Sequence, residues 1–145
     1  MKIGFTGTRE GMNTHQLKHF YRFIAELPEF TEFHHGACVG ADEEAAQVVI
    51  EMDPCDGTRD WKVVAHPCDI LDMVSLVAKA AYSDFQRLPK PPLDRNHDIV
   101  DACDVLLACP KGPEEMRSGT WATVRYARKQ SKRVVIFWPD GRVEG

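Results

Sequence analysis

Short apolar runs alternate along this chain with longer stretches whose apolar residues recur every three or four positions. The runs read as strands and the longer stretches as amphipathic helices. Lys2 to Thr6 is a first strand, and Thr14 can cap a helix whose inward stripe is Leu17, Phe20, Tyr21, Ile24 and Leu27. Pro28 lies just beyond the last apolar position and stops it. Thr31 to His35 is a second strand, followed by the loop Gly36-Ala37-Cys38-Val39-Gly40-Ala41 and a helix from about Asp42 to Met52. Pro54 to Asp60 is a turn-rich loop, and Lys62 to Ala65 a third strand. Ile70 to Phe85 holds apolar residues enough for a short helix without a clear register, and Leu88 to Leu93, with three prolines, is extended or looped. After Arg95 and Asn96 the pattern gives a short helix to about Ala102, a fourth strand at Val105 to Cys109, a helix from Thr120 to Lys129 and a fifth strand at Val134 to Phe137. Trp138-Pro139-Asp140-Gly141 then ends the fold.

Strands alternating with helices require right-handed crossovers and a parallel sheet. The expectation is therefore a single α/β domain over residues 1–145, with an open, mainly parallel sheet of about five strands and helices on both faces. Val105-Leu106-Leu107-Ala108 and Val134-Val135-Ile136-Phe137 are near-continuous apolar strands, as central strands covered twice must be. At 145 residues one core suffices.

The formal charge of −4 argues against a general nucleic-acid surface, so nucleic acid is not an expected partner. Lys129, Lys132 and Arg133 cluster where a helix ends, and there they complement its dipole. No apolar run nears the roughly 20 residues that span a bilayer, and the N-terminus enters a strand pattern directly; a cytoplasmic protein with no membrane partner is expected. The five cysteines show no C-x-x-C spacing. Cys38, Cys68 and Cys109 do fall at strand ends near His34, His35 and His66, where a metal is conceivable, but free cysteine also behaves as a small buried hydrophobe. That second reading is preferred, and neither metal nor cofactor is expected.

Glycine, threonine, arginine and histidine gather just after the strands: Gly7-Thr8-Arg9, Gly36 to Asp42, His66-Pro67, and Lys111 to Thr120. In an open parallel sheet these positions share one rim, where ligands bind. Arg117-Ser118-Gly119-Thr120 opens a helix whose free amides form an anion site, with Gly119 admitting the ligand and Arg117 or Lys111 as countercharge. Capping by Ser118 or Thr120 is the simpler alternative for that segment alone. Gly7-Thr8-Arg9 has the same logic in the first strand-to-helix turn, but is too short for G-x-G-x-x-G; no G-x-x-x-x-G-K-[ST] segment occurs either. In the second loop Gly36, Ala37 and Gly40 lead to Asp42, Glu43 and Glu44; three carboxylates would repel phosphate, so Asp42 suits ribose hydroxyls or the helix dipole. Arg95 offers a planar fork for an anion, and Asn96 either caps its helix or binds a base or sugar. Pro67 completes the rim set.

The order Gly7-x-Arg9, Gly36-Ala37-x-x-Gly40-Ala41-Asp42, Arg95-Asn96, Ala102-x-Asp104 and Ser118-Gly119-Thr120 resembles the SLOG superfamily, in the branch related to the bacterial YspA and YpsA proteins. The resemblance implies a Rossmann-like fold that senses or processes nucleotides and nucleotide-derived ligands, commonly as a homo-oligomer. The Lonely Guy phosphoribohydrolases are similar more distantly and carry P-G-G-x-G-T-x-x-E in the loop matching Gly119-Thr120. Here the glycine pair falls on Met116 and Arg117 and the glutamate on Thr123, so that carboxylate is missing. The expected function is capture of a small nucleotide-like ligand at the rim. The alternative is N-glycosidic cleavage, with Asp42, Glu114 and Glu115 as candidate carboxylates.

Overall fold

The computed structural model describes residues 1–145. Its strands are β1 (Lys2–Gly7), β2 (Glu32–His35), β3 (Lys62–Ala65), β4 (Phe85–Gln86), β5 (Val105–Cys109), β6 (Arg133–Phe137) and β7 (Val143–Glu144). Between them lie α1 (Thr14–Glu26), α2 (Ala41–Glu51), α3 (Leu76–Ala80), α4 (Pro92–Ala102) and α5 (Gly119–Lys129), with a 3-10 turn at Leu71–Met73. The sheet runs β4-β3-β2-β1-β5-β6-β7, parallel throughout except for β7.

The expected sheet of about five strands is thus short by two. Both extra strands have two residues, too few for periodicity to register, and each adds to an edge. Val143–Glu144 turns back against β6 after Trp138-Pro139-Asp140-Gly141, so that segment is a hairpin turn and not the end of the fold. Ile70 to Phe85 divides into the 3-10 turn, α3 and β4, which explains its lack of one helical register.

Strand alternation sorts the core. On one face Ile3, Phe5, Phe33, Val63, Val105, Leu107 and Phe137 meet Phe20 and Ile24 of α1 and Ala45 and Val49 of α2. On the other, Leu106, Ala108 and Ile136 meet Ile99 and Val100 of α4 and Trp121, Val124 and Ala127 of α5. Gly4 lets α4 approach β1, since a Cβ there would stand 2.8 Å from Cys103 Sγ. Asn13, not Thr14, caps α1: its side chain accepts the Gln16 amide and Gln16 returns a bond to the Asn13 amide, a complete capping box.

Candidate functional site

At the carboxyl ends of β1 and β5 the chain leaves the sheet in opposite directions, and a cleft of about 420 Å³ opens between the two departures. Thr8 anchors the β1 side. Its amide donates to Cys109 O at 3.0 Å, and its carbonyl accepts from Gly11 and from Ala41 at the start of α2. Gly7 makes this approach possible, because a Cβ there would lie 2.5 Å from Ala41 Cβ. Gly40, at φ +92°, leaves no room for a side chain against the Arg9 backbone. The α2 side braces the loop further through Glu44, which accepts the Met12 amide at 2.6 Å.

Across the cleft, Ser118 caps α5 by accepting the Trp121 amide at 3.2 Å. The amides of Gly119 and Thr120 have no intrahelical acceptor and carry the positive end of the helix dipole. A Cβ on Gly119 would meet nothing within 4 Å. Packing therefore does not demand this glycine, in contrast to Gly7. Arg9 and Arg117 are exposed at the cleft and form no ion pair, and Lys111 has only a loose contact of 3.6 Å with Glu10.

The floor is built differently. Arg95 is buried, donates through Nη1 to the carbonyls of Gly36 and His66, and through Nε to Asn96 Oδ1 at 2.8 Å; Nη2 lies 3.3 Å from Cys38 Sγ. Asp42 is buried beside it and accepts the Cys38 amide at 3.3 Å. Burial raises the Asp42 carboxyl to about 6 against the opposing pull of Arg95. Gly36 must lack a side chain, since a Cβ would fall 2.7 Å from Asp42 Oδ2 and 2.6 Å from Arg95 Nη1.

No protein-family model and no curated protein sequence matches the chain. Its structure does resemble solved ones. The molybdenum cofactor binding protein of the phototrophic bacterium Rippkaea orientalis superposes with a TM-score of 0.68 at 23% identity, over 94% of this chain and 76% of that one. DNA processing protein A of Streptococcus pneumoniae gives 0.67 at 19%, over 93% of this chain and 49% of the other. Its Helicobacter pylori counterpart, described for a single-stranded DNA binding mode, gives 0.64 at 18%, over 94% and 64%. The fold is Rossmann-like. The charge of −4 does not exclude nucleic acid as a partner, contrary to the expectation from the sequence, because solved proteins of this fold include a single-stranded DNA binder. No helix is long and apolar enough to cross a membrane.

The structure brings Gly7, Thr8, Arg9, Asp42, Arg95, Asn96, Lys111, Glu115, Arg117, Ser118, Gly119 and Thr120 to this cleft. Gly36, Ala37, Gly40, Pro67 and Glu114 lie off it. Gly36 and Gly40 act behind the wall as close-approach points, and Glu114 turns outward to Arg125 at 3.0 Å. Asn96 does not cap α4, which begins four residues earlier with Pro92 at its first position, where a missing N–H costs nothing. Arg95 is a tie across the floor and has no free fork to offer an anion. The sequence reading passed over Met73, Pro92 and Leu93, which form the apolar rim. Pro92 followed by Asp94 and a helical stripe was the available signal. Cys38, Cys68 and Cys109 are buried, and burial raises the Cys38 thiol to about 12 and also pushes the Cys109 thiol up, which makes Cys38 and Cys109 poor nucleophiles.

Proposed function

We propose that the cleft binds a nucleotide or nucleotide-derived ligand, with its phosphate between the Gly7-Thr8-Arg9 turn and the start of α5. The observation that carries this is the open space over Gly119, at a capped helix N-terminus flanked by the unpaired Arg9 and Arg117. The apolar rim of Met73, Pro92 and Leu93 suits a base, and Asp42 suits sugar hydroxyls. Membership of the SLOG superfamily, suggested by the ordered loop motifs, agrees with this reading. The structural neighbours named for binding a molybdenum cofactor and single-stranded DNA support a binding role in general.

Gly119→Val tests the placement, because a Cβ at this position meets nothing within 4 Å and the added side chain takes up cleft space. A panel of mono- and dinucleotides and a short single-stranded oligonucleotide is followed by thermal unfolding. The bound ligand at a hundredfold excess over its Kd stabilises by about 2.7 kcal/mol. Gly119→Val and Arg9→Ala are expected to abolish that gain while melting like the parent in its absence. A gain that survives both changes would falsify the placement.

A second reading, cleavage of the base–sugar bond, draws on Asp42: a buried carboxyl raised to about 6 inside the cleft can hold a proton near neutral pH. Glu115 is the other candidate carboxylate at the cleft. Release of free base from any panel member, lost in Asp42→Asn, would establish it; an unchanged ligand mass after prolonged incubation would exclude it for that ligand.

A further inference from the structure

A second hollow, of about 520 Å³, opens between the end of β3, the segment after β4 and α4, and shares no lining residue with the cleft. Its inner wall is His66, only 5% exposed. His66 Nε2 lies 2.8 Å from His34 Nδ1, and His34 Nε2 lies 2.9 Å from Glu32 Oε1. Lys2 Nζ holds the other oxygen of Glu32 at 3.0 Å.

These contacts determine where the protons sit. Ionised Glu32 only accepts, so His34 carries its proton on Nε2 and presents a lone pair at Nδ1. His66 Nε2 must then donate to that lone pair. With both rings neutral, His66 Nδ1 is a bare lone pair with no partner in the protein. Burial, His34 and Arg87 together hold the His66 imidazole down to about 3, with Asp98 opposing and Arg95 adding to the fall.

The other polar groups of the hollow differ in what they have left to offer. Lys90 is taken by Asp98 at 2.6 Å, and Asp101 by the Tyr126 hydroxyl at 2.8 Å. Arg87 lines the hollow and forms no ion pair. A ligand therefore meets one unpaired cationic donor, the lone pair of His66 Nδ1 and the second carboxylate oxygens of Asp98 and Asp101, acceptors that all disfavour an oxyanion without a proton.

We propose that this hollow is a site for inorganic phosphate in its hydrogenphosphate form, whose charged oxygens accept from Arg87 and whose remaining P–OH donates to His66 Nδ1. A fully deprotonated oxyanion would set its own lone pairs against that of Nδ1. The site therefore selects for a proton on the ligand and not for charge alone. Arg95 stands between the hollow and the cleft, bound to the carbonyls of Gly36 and His66, so occupancy of one does not require the other.

The full chain, with its histidines labelled with nitrogen-15, is titrated at about pH 8 with phosphate, sulfate and methyl phosphate at matched ionic strength. There inorganic phosphate keeps its last proton, whereas sulfate and a monoester with a second pKa of about 6 have none. The Nδ1 signal of His66 is expected to move saturably with phosphate alone. Arg87→Ala should weaken that response at least about tenfold, the scale of one lost charged hydrogen bond, and Gly119→Val should leave it intact. The proposal is overturned if phosphate moves nothing, if sulfate or methyl phosphate acts equally, or if the response survives Arg87→Ala.

Discussion

Two glycines of the same rim show how differently one residue type can be used. Gly7 is required by packing: the Cβ of Ala41 occupies the place its own would take. Gly119 faces open space. Gly7→Ala is expected to lower unfolding free energy by about 1–3 kcal/mol through overpacking, and Gly119→Ala to stay within about 0.5 kcal/mol of the parent. Urea denaturation of the two single variants decides this; equal losses would mean that Gly119 is also held by contacts within the fold. Arg95 is a third case. Its type suggests an anion ligand, but its bonds to two carbonyls and its place beside buried Asp42 make it a brace, so Arg95→Met should cost stability even without ligand, on the order of 2–4 kcal/mol.

At the scale of the element, the alternation of β2 sends His34 and His35 to opposite faces, each into a hydrogen-bonded chain of its own. His35 Nδ1 accepts the Ala37 amide at 3.0 Å, so its Nε2 donates to Ser83 Oγ at 2.8 Å, and Ser83 donates to Ala78 O at 2.7 Å. A second proton on that ring would face an N–H. Burial, with His66, His34 and Arg95 adding to it, pushes His35 down to about 3; His66 falls to about 3 as well, and His34 is lowered chiefly by burial. A histidine depressed in the folded state contributes stability above its unfolded value near 6.5, which is lost as pH falls toward the folded value. Asp42, raised from 3.8 to about 6 by burial, works the other way: its contribution is present at low pH and lost as pH rises through about 6. Two histidines moved from 6.5 to about 3 outweigh that single carboxyl. The urea midpoint should therefore drop as pH is lowered from about 6.5 toward 4, by a few kcal/mol of stability, and His35→Gln should flatten the dependence. A midpoint independent of pH over that range would show that the rings are charged in the folded protein.

Across the whole molecule, stability should grade from the centre of the sheet outward. β1 lies between β2 and β5 with helices on both faces, whereas β4 and β7 are two-residue edge strands with exposed side chains. Amide hydrogen exchange is expected to be slowest in β1 and β5 and fastest in β4 and β7, which open without global unfolding. Because Met73 and Leu93 line the cleft from the segments flanking β4, ligand binding there should slow exchange in residues 70–93 more than in β6.

The alternating and helical periods of the sequence determine the order of elements, the parallel core strands and the rim on which the candidate residues fall, because hydrophobic spacing is a local property that each segment must satisfy by itself. Most of the rim residues singled out from their position after strands do border one cleft. What the sequence left undecided are matters of contact between distant segments. The edge strands β4 and β7 are too short to have a period, and exist because a neighbour offers hydrogen bonds. Whether Arg95 reaches a ligand or ties down two carbonyls depends on where β2 and β3 end relative to α4. The pairing of Glu32, His34 and His66 depends on the register of β2 against β3, in which His34 lies opposite Val64 and His35 opposite Ala65, with His66 following at the strand end. Registers of that kind are fixed by packing of the assembled sheet, which no single segment encodes.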